Sequence, residues 1–417
     1  MNVEELVRDS LRELAVDQPP AGAGFADRVL AVRRRRRTRR LVAVAAATAA
    51  VVAVSVAVPL LNEGRDDTRP ASVTQQDGVS AHPDQSPPSD LIAAGRSALA
   101  AYWTTALVAK NKKEATLERT YWLLDPDTGR YEKDTRWSFV AVAPGLKTAA
   151  VLERTLPAAR IGLLDLATGE VERWIPVGKG VGGLAFSNGG TELVATTYSE
   201  HPDALEKFKN PGDSEGAWAS MNRMSRTGFV LLDLAAGGGG VWHPVPNSSA
   251  GGRADFAFTR DDQHLYAAGG GLDTLVRPTF YDLSGKETAA PANEEYLRWD
   301  VPARLSPNGK LAASGLAEEI DPGVAPESGK TLPGQSYSAV KDPLTGKEIT
   351  KVRGSELLAW VDDQRLIAWE RATGLNEPYK DRLVLVTIGS SKVVPLSGVR
   401  DHPETGQVQW EPVFAER

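Results

Sequence analysis

The sequence predicts an all-β chain, a six-bladed β-propeller with seven blades as the alternative, preceded by one transmembrane helix and a short head. Three observations predict this: a hairpin-like element that occurs five times, a second such element after each copy, and one uncharged apolar run near the start. Repeated four-stranded sheets spaced about 40–50 residues apart are typical of β-propeller blades. A β-sandwich of short strands is the other architecture considered, but its spacing need not repeat.

The apolar run Leu41–Leu61 holds 21 residues without a charge. As a helix rising 1.5 Å per residue it would be about 30 Å long, which matches the hydrocarbon core of a bilayer. A cleaved signal peptide is the alternative, since Ala53-Val54-Ser55 resembles a cleavage site. The 40-residue leader and the length of the run are both typical of a permanent anchor instead.

Arginines stand directly before this run, and they set the predicted orientation in the membrane. They are Arg33, Arg34, Arg35, Arg36, Arg37, Arg39 and Arg40. Positively charged segments beside a transmembrane helix stay in the cytoplasm, so the N-terminus is expected inside the cell and everything after Leu61 outside it. The anchor would contact the lipid bilayer directly. A nucleic-acid role for the arginines would leave the apolar run unexplained.

Composition divides the chain into four predicted parts. Residues 1–40 form a cytoplasmic Arg-rich head that is helical or disordered and too short to fold alone. Residues 41–61 form the transmembrane helix, and residues 62–97, rich in Pro, Ser, Gln and Asp, form a flexible linker. Residues 98–417 hold all ten Trp and all nine Tyr and form the propeller.

Composition also limits the chemistry of the protein. The chain has no cysteine, which excludes disulfides, thiol catalysis and thiolate metal sites. Its net charge is −6, and an acidic outer domain does not fit a nucleic-acid partner.

The first repeated element is an apolar strand, a polar turn and a second strand, and the second element is a strand, a Gly-containing turn and a strand. The first element is centred on Val142, Phe186, Phe258, Leu305 and Trp360. Residues 119–137 read as a second element without its first, and residues 407–414 as a strand left over at the end. Joining these two, with help from residues 98–108, would close a ring and remove its open edges.

Several motifs resemble catalytic or cofactor sites, but their context predicts turns and strands instead. Gly178–Gly183 matches a dinucleotide-binding pattern, yet a strand and not a helix is expected after it. Gly212–Gly216 matches a nucleophile elbow around Ser214, but a polar segment precedes it. Asp125–Gly129 is explained by a hairpin turn, and the five histidines lack metal spacing. No catalytic residue, cofactor or metal is therefore predicted.

One insertion is the candidate binding loop. Residues 201–226 lengthen one repeat by about 25 residues, and long loops on a rigid scaffold often carry binding. The candidate contact residues in it are Phe208, Trp218, Met221 and Met224. A tolerated surface insertion is the alternative.

The repeated units resemble TolB-like and WD-repeat-like propellers, most closely at Leu305-Ser306-Pro307-Asn308-Gly309-Lys310-Leu311. The lone Trp299-Asp300 does not stand where a WD repeat would have it. The whole layout resembles single-pass membrane proteins of high-GC Gram-positive bacteria with an Arg-rich head and an exported propeller. This resemblance implies an association with an extracytoplasmic-function sigma factor, held by residues 1–40.

The sequence therefore predicts a membrane-anchored, extracytoplasmic binding or sensing module, not an enzyme, that contacts an unidentified protein or small ligand. A purely structural envelope protein is one alternative. An exported lyase or hydrolase is the other, and a cluster of Asp, Arg and Lys at the central channel would favour it.

Overall fold

A computed structural model describes residues 73, 78–209, 216–220, 225–237, 240–246, 253–268, 277–319, 335–371, 381–400 and 409–417. The chain divides into two units, Met1–Asp66 and Asp67–Arg417, and every described residue belongs to the second. The predicted head and the predicted span over 41–61 lie outside the described residues. Among the described residues, no helix has the length and apolar character needed to cross a bilayer.

The elements in these ranges are all strands. They are β1 (Val79–Ser80), β2 (Ala93–Ala94), β3 (Ser97–Ala109), β4 (Glu114–Asp125), β5 (Arg130–Asp134), β6 (Trp137–Val142), β7 (Thr148–Glu153), β8 (Ala158–Asp165), β9 (Glu170–Phe186), β10 (Glu192–Tyr198), β11 (Ala204–Phe208), β12 (Ala217–Ser220), β13 (Arg226–Asp233), β14 (Val241–Pro244), β15 (Ala257–Phe258), β16 (His264–Ala268), β17 (Pro278–Asp282), β18 (Glu287–Thr288), β19 (Ala312–Glu319), β20 (Ser336–Lys341), β21 (Glu348–Arg353), β22 (Glu356–Trp360), β23 (Arg365–Arg371), β24 (Asp381–Thr387), β25 (Val393–Pro395) and β26 (Trp410–Glu416). The predicted all-β class is confirmed for this part of the chain.

The first sheet joins the two ends of the described chain. Its order is β1-β2-β3-β4-β11-β12, with β26 also paired to β3 and β5 to β4. The pairing of β26 runs antiparallel from Trp410 opposite Thr104 to Glu416 opposite Ser97. The C-terminal strand therefore completes a sheet begun by the N-terminal strands, as the sequence predicts.

The remaining strands form four sheets of antiparallel neighbours. Strands β6 to β10, β13 and β14 make one sheet, and β15–β18, β19–β21 and β22–β25 make the other three. The long strand β9 serves twice, because residues 170–176 pair with β8 and residues 181–186 pair with β10.

The predicted polar turns are built in one repeated way. In the second hairpin of successive units, an aspartate side chain accepts hydrogen bonds from backbone N–H groups two to four residues ahead. This is seen at Asp125, Asp165, Asp233, Asp282 and Asp342. At Asp125 the turn ends in Gly129, whose φ of 68° is costly for other residues. The hairpin reading of Asp125–Gly129 is thus confirmed.

Six clusters of buried apolar side chains occur in the described ranges, and all but one join neighbouring groups of strands. The exception, formed by Leu297, Leu305 and Ala312, is confined to the segment that leads into β19. The clusters follow sequence order, from a cluster between β3–β4 and β6–β8 to one between β19–β21 and β22–β24. The remaining cluster packs β22–β24 against β3 and β26. Strand β26 also contacts β6, β6 contacts β9, and β9 contacts β15. This order is consistent with a β-propeller, in which each blade packs on the next.

The structure differs from the sequence prediction at the start of the folded unit. Residues 78–97 were expected within the flexible linker, but β1 and β2 lie here; β1 pairs with β2, and β2 pairs with β3. Ile92 and Ala93 are fully buried. Residues 91–94, Leu-Ile-Ala-Ala, are apolar enough to join the core, although the Pro- and Ser-rich residues before them are not.

Candidate functional site

The predicted binding insertion forms a β-hairpin that is added to the first sheet. Strand β11 pairs with the start of β4, with Leu205 opposite Ala115, and β12 pairs with β11. Strands β3 and β4 are 13 and 12 residues long, and their ends at Ala109 and Glu114 are where β11 is added. The insertion therefore extends the first sheet and does not form a separate loop on the repeat in which it occurs.

A buried aspartate ties this hairpin to the rest of the molecule. Asp203 stands directly before β11, and its carboxylate accepts hydrogen bonds from two guanidinium groups. Arg119 of β4 donates at 2.9 and 3.1 Å, and Arg253 donates at 2.9 and 2.5 Å. The side chain of Asp203 is 8% exposed. We call Arg119, Asp203 and Arg253 the aspartate clasp.

The clasp is continuous with a second, partly buried carboxylate, that of Asp255. Arg253 also donates to Asp255 at 3.0 Å, and the hydroxyl of Tyr198 donates to Asp255 at 2.7 Å. The same guanidinium donates to the carbonyl of Gly182. These contacts join β9, β10 and the segment before β15 to the base of the added hairpin.

Burial shifts the pKa values of several of these groups, and at Asp203 the neighbouring charges outweigh it. Burial acts to raise the pKa of Asp203, but the hydrogen bonds and charges of Arg253 and Arg119 outweigh it and lower the pKa to about 2. Burial raises the pKa of the Tyr198 hydroxyl well above its usual value, and Asp255 adds to this. Burial lowers the pKa of His201. At neutral pH the clasp therefore holds an ionised carboxylate between two cations.

Apolar side chains are exposed at the end of β3 and on the added hairpin beside it. Leu107, Val108 and Phe208 are 46%, 38% and 48% exposed, and Trp218 is partly exposed. Five exposed lysines surround them, Lys110, Lys112, Lys113, Lys207 and Lys209. Within residues 106–114, 205–209 and 217–220 the carboxylates are Glu114 and Glu206, which stand opposite each other. We call residues 106–114, 205–209 and 217–220 the basic tip.

The structure separates two of the residues predicted to bind together. Trp218 stands opposite Lys207, and the Lys207 ammonium lies 5.6 Å from the centre of its ring. Successive side chains of a strand point to opposite faces, so Phe208 lies on the other face of the hairpin from Trp218. Met221, Met224 and the seven arginines of the topology signal lie outside the described residues.

A second charged cluster lies where β22, β24 and β26 begin. Arg400 donates to Glu411 at 2.9 Å and to Asp381 at 3.3 Å. Glu356 is exposed, yet reduced hydration raises the pKa of its carboxyl to about 7, and the charges of Glu411, Asp300 and Asp381 add to this while Arg400 opposes it. Burial also raises the pKa of Glu411. A carboxyl that titrates near neutral pH can give or accept a proton there.

The glycine motif at 178–183 lies within strand β9, so no helix follows it. A Cβ at Gly183 would come within 2.1 Å of the Asp255 carboxylate, and one at Gly182 within 2.6 Å of the Tyr198 ring. These glycines allow β9 to approach the Tyr198 and Asp255 side chains closely. Ser214 and His402 lie outside the described residues. In the described ranges, no group of three or more His, Asp or Glu side chains could hold a metal ion.

Sequence reasoning did not find the aspartate clasp. Its three members are 84 and 50 residues apart along the chain. No local pattern distinguishes them from the many other charged residues. The pairing of β11 with β4 brings Arg119 and Asp203 together, and Arg253 reaches them from the segment before β15.

Comparisons with known proteins show distant structural likenesses. No protein-family model matches the chain, and no curated protein matches it. The crystal structure of TolB from Acinetobacter baumannii is 16% identical, with a TM-score of 0.39; the match covers 76% of this chain and 66% of that chain.

Two further solved structures are similar to the same degree. A hydrazine synthase of Kuenenia stuttgartiensis is 10% identical over 61% of this chain and 64% of that chain, with a TM-score of 0.33. A mitotic checkpoint complex chain is 12% identical over 83% and 88%, with a TM-score of 0.36. At these TM-scores the likenesses carry no argument about function.

Proposed function

We propose that the chain is a membrane-anchored, extracytoplasmic six-bladed β-propeller that acts as a protein-interaction module and not as an enzyme. Two observations support the propeller. The core clusters follow the strands in sequence order, and the final strand β26 joins the first sheet. The observation that carries the interaction role is the basic tip, which projects from this sheet and combines exposed apolar side chains with clustered lysines.

The composition of the tip indicates the chemistry of its partner. Five lysines against two glutamates give it a positive charge, whereas the whole chain carries −6. Exposed apolar side chains rimmed by charges are typical of protein-interaction surfaces. The partner is therefore a protein with an acidic surface and an apolar recess that receives Leu107, Val108 or Phe208.

Rigidity supports the same role. The tip is held to the sheet by backbone pairing and to the molecule by the aspartate clasp. A surface that is already ordered loses less conformational entropy on binding than a flexible loop. A surface insertion without a function would not require a buried aspartate that pairs with two arginines at its base.

Site-specific photo-crosslinking tests the proposal. A photoreactive amino acid at Leu107 should capture one acidic protein reproducibly in intact cells, identified by mass spectrometry. The matched control places it at Leu344, which is 62% exposed in the turn between β20 and β21. Capture of the same protein at both positions, or of none at 107, contradicts the role of the tip. Binding of the purified chain to anionic lipid vesicles through the tip would also overturn a protein partner.

The anchor and its orientation are part of the proposal and have their own experiment. Because the chain has no cysteine, single cysteines report accessibility without background. Ser390→Cys, exposed in the turn before β25, should react with a membrane-impermeant maleimide in intact cells. Ser10→Cys should react only after the membrane is opened. Equal labelling of both would refute the single-pass orientation.

The finer proposal is that the head, residues 1–40, holds a cytoplasmic sigma factor and that the propeller is its outer sensor. Only the resemblance stated for the sequence supports it. Co-purification of the membrane-embedded chain, with and without residues 33–40, tests it. Recovery of a sigma factor in the presence of the head would support it, and recovery of general membrane proteins alone would contradict it.

One observation favours a second candidate, an exported lyase or hydrolase. It is the carboxyl of Glu356, whose pKa near 7 suits proton transfer. The test is turnover of generic glycoside, phosphate and uronate substrates by the purified chain and by Glu356→Gln. Activity that is lost in the variant would support the enzyme, and absence of turnover would leave the interaction module as the function.

A further inference from the structure

We propose that a cavity between β15–β16 and the segment preceding β19 binds a small oxyanion, a phosphate or a carboxylate. This site is separate from the basic tip. The cavity has a volume of about 220 Å³, large enough for such an ion. Its charged lining residues are Arg260, Arg304 and Glu294. Two guanidinium groups against one carboxylate leave the lining with a net positive charge.

Arg304 offers a donor that is already oriented. Its guanidinium lies 3.6 Å from the centre of the Tyr266 ring and pairs with Glu294 through Nη2. Its Nη1 is buried and has no hydrogen-bond partner in the part of the chain that the structure describes. A buried N–H donor without a partner is unfavourable, so an acceptor in the cavity would stabilise it.

The backbone of Arg304 is held in an unusual conformation. Its φ is 46°, in the left-handed region that non-glycine residues rarely adopt. Its carbonyl accepts hydrogen bonds from the Ala313 N–H at 2.8 Å and from the Trp360 indole N–H at 3.2 Å. These contacts fix the strained backbone, and strain held in this way is found mainly at functional sites.

Arg260 provides the second cation, and its side-chain contacts are weak. It lies 3.5 Å from the side-chain oxygen of Asn188, 3.4 Å from the carbonyl of Pro307 and 3.7 Å from the carboxylate of Glu416. These distances exceed those of good N–H···O bonds. The guanidinium can therefore turn toward an anion without losing a strong interaction.

Glu294 is the carboxylate that an anion would meet. It is 2% exposed, and both its oxygens are engaged, one by the backbone N–H of Arg260 at 2.7 Å and the other by Arg304. It cancels the charge of Arg304. The other cation, Arg260, lies 3.7 Å from Glu416, but that carboxylate is already paired with Arg96 at 2.6 Å, so Arg260 remains available to the ligand. The site thus suits a singly or doubly charged oxyanion and is poorly suited to a cation.

Titration of the purified full-length chain with sodium phosphate or sodium acetate, against sodium chloride at equal ionic strength, tests the site. Calorimetry should show one phosphate or acetate bound per chain and a rise in melting temperature that chloride does not give. Arg260→Gln should weaken binding about tenfold, the effect of losing one charge-assisted hydrogen bond. Arg260 is one-third exposed, so this variant should fold.

A matched pair of double variants separates binding from stability. Arg304→Gln with Glu294→Gln should abolish binding. Arg353→Gln with Glu370→Gln removes a buried pair outside the cavity, where Glu370 is also 2% exposed and in addition pairs with Arg382, and should leave binding unchanged. The proposal is overturned if phosphate and acetate act no differently from chloride. It is also overturned if Arg260→Gln binds like the native chain, or if the control pair loses binding too.

Discussion

Replacing Asp203 by Asn should loosen the added hairpin and destabilise the whole unit. The substitution leaves Arg119 and Arg253 close together without the carboxylate that both contact. The folded-state pKa of about 2, against an ordinary value of 3.8, corresponds to about 2.5 kcal/mol at neutral pH. Loss of one partner of a buried ion pair costs about 3–5 kcal/mol, so we expect a loss of about 3 kcal/mol.

The assay is urea unfolding followed by tryptophan fluorescence, with hydrogen exchange of residues 204–208 as the local measurement. Exchange there should become faster in Asp203→Asn than in the native chain. Asp84→Asn, at an exposed position, is the matched control and should change neither quantity. A loss below about 0.5 kcal/mol, or unchanged exchange in β11, would refute the reasoning.

The pH dependence of the same variant provides a second check with a defined sign. The pKa of Asp203 is lowered in the folded state, so its stabilisation is present above the unfolded pKa. It is lost as the pH falls from about 4 toward 2. The difference in stability between the native chain and Asp203→Asn should therefore shrink over this range. A difference that stays constant down to pH 2 would mean that the carboxylate charge is not its source.

Three further predictions concern other parts of the unit. Glu356→Gln should stabilise the chain by about 1 kcal/mol at pH 8 and not at pH 4, because the raised pKa of Glu356 makes its ionisation unfavourable in the folded state above pH 4.5. The expected effect is small because the side chain is exposed to solvent. Equal unfolding midpoints for the variant and the native chain at pH 8 would count against this. Trp410→Ala should lower the free energy of unfolding in urea by about 4 kcal/mol. The buried ring of Trp410 lies with its centre 5.0 Å from that of Trp369, and its strand completes the first sheet. A loss no larger than that of Trp410→Phe would argue against closure of the sheet by β26. Gly183→Ala should lower stability by about 2 kcal/mol because the added Cβ clashes with Asp255. Gly178→Ala should be neutral, since a Cβ there meets nothing within 4 Å. Similar melting temperatures for the two variants would contradict the packing described.

Local patterns predict the strands and turns well because each is set by nearby residues. The alternation of apolar residues around Phe186 and Trp360, followed by turn residues, predicts β9–β10 and β22–β23. The closing of the first sheet by the C-terminal strand was also predictable, because residues 407–414 had no partner nearby in the sequence. The start of the folded unit was not predictable, because the apolar residues 91–94 follow a Pro- and Ser-rich stretch.

The candidate site was predictable only in part. The insertion at 201–226 was recognisable from its length, but its pairing with β4 was not, because Ala204 and Thr116 are distant in sequence. The register then placed Phe208 and Trp218 on opposite faces, which a list of aromatic residues cannot show. The basic tip likewise joins two lysine groups, at 110–113 and 207–209, that only the fold brings together.

The most direct test of the proposed function is the yield of photo-crosslinking from position 107 in chains that differ only in charge. Lys110, Lys112 and Lys113 changed together to Glu should reduce the captured partner at least tenfold, because the acidic partner would be repelled. Lys310, Lys347 and Lys392 changed together to Glu make the same net change at exposed turns of other sheets. This control should keep the native yield. Equal yields from both variants would contradict the basic tip as the interaction surface.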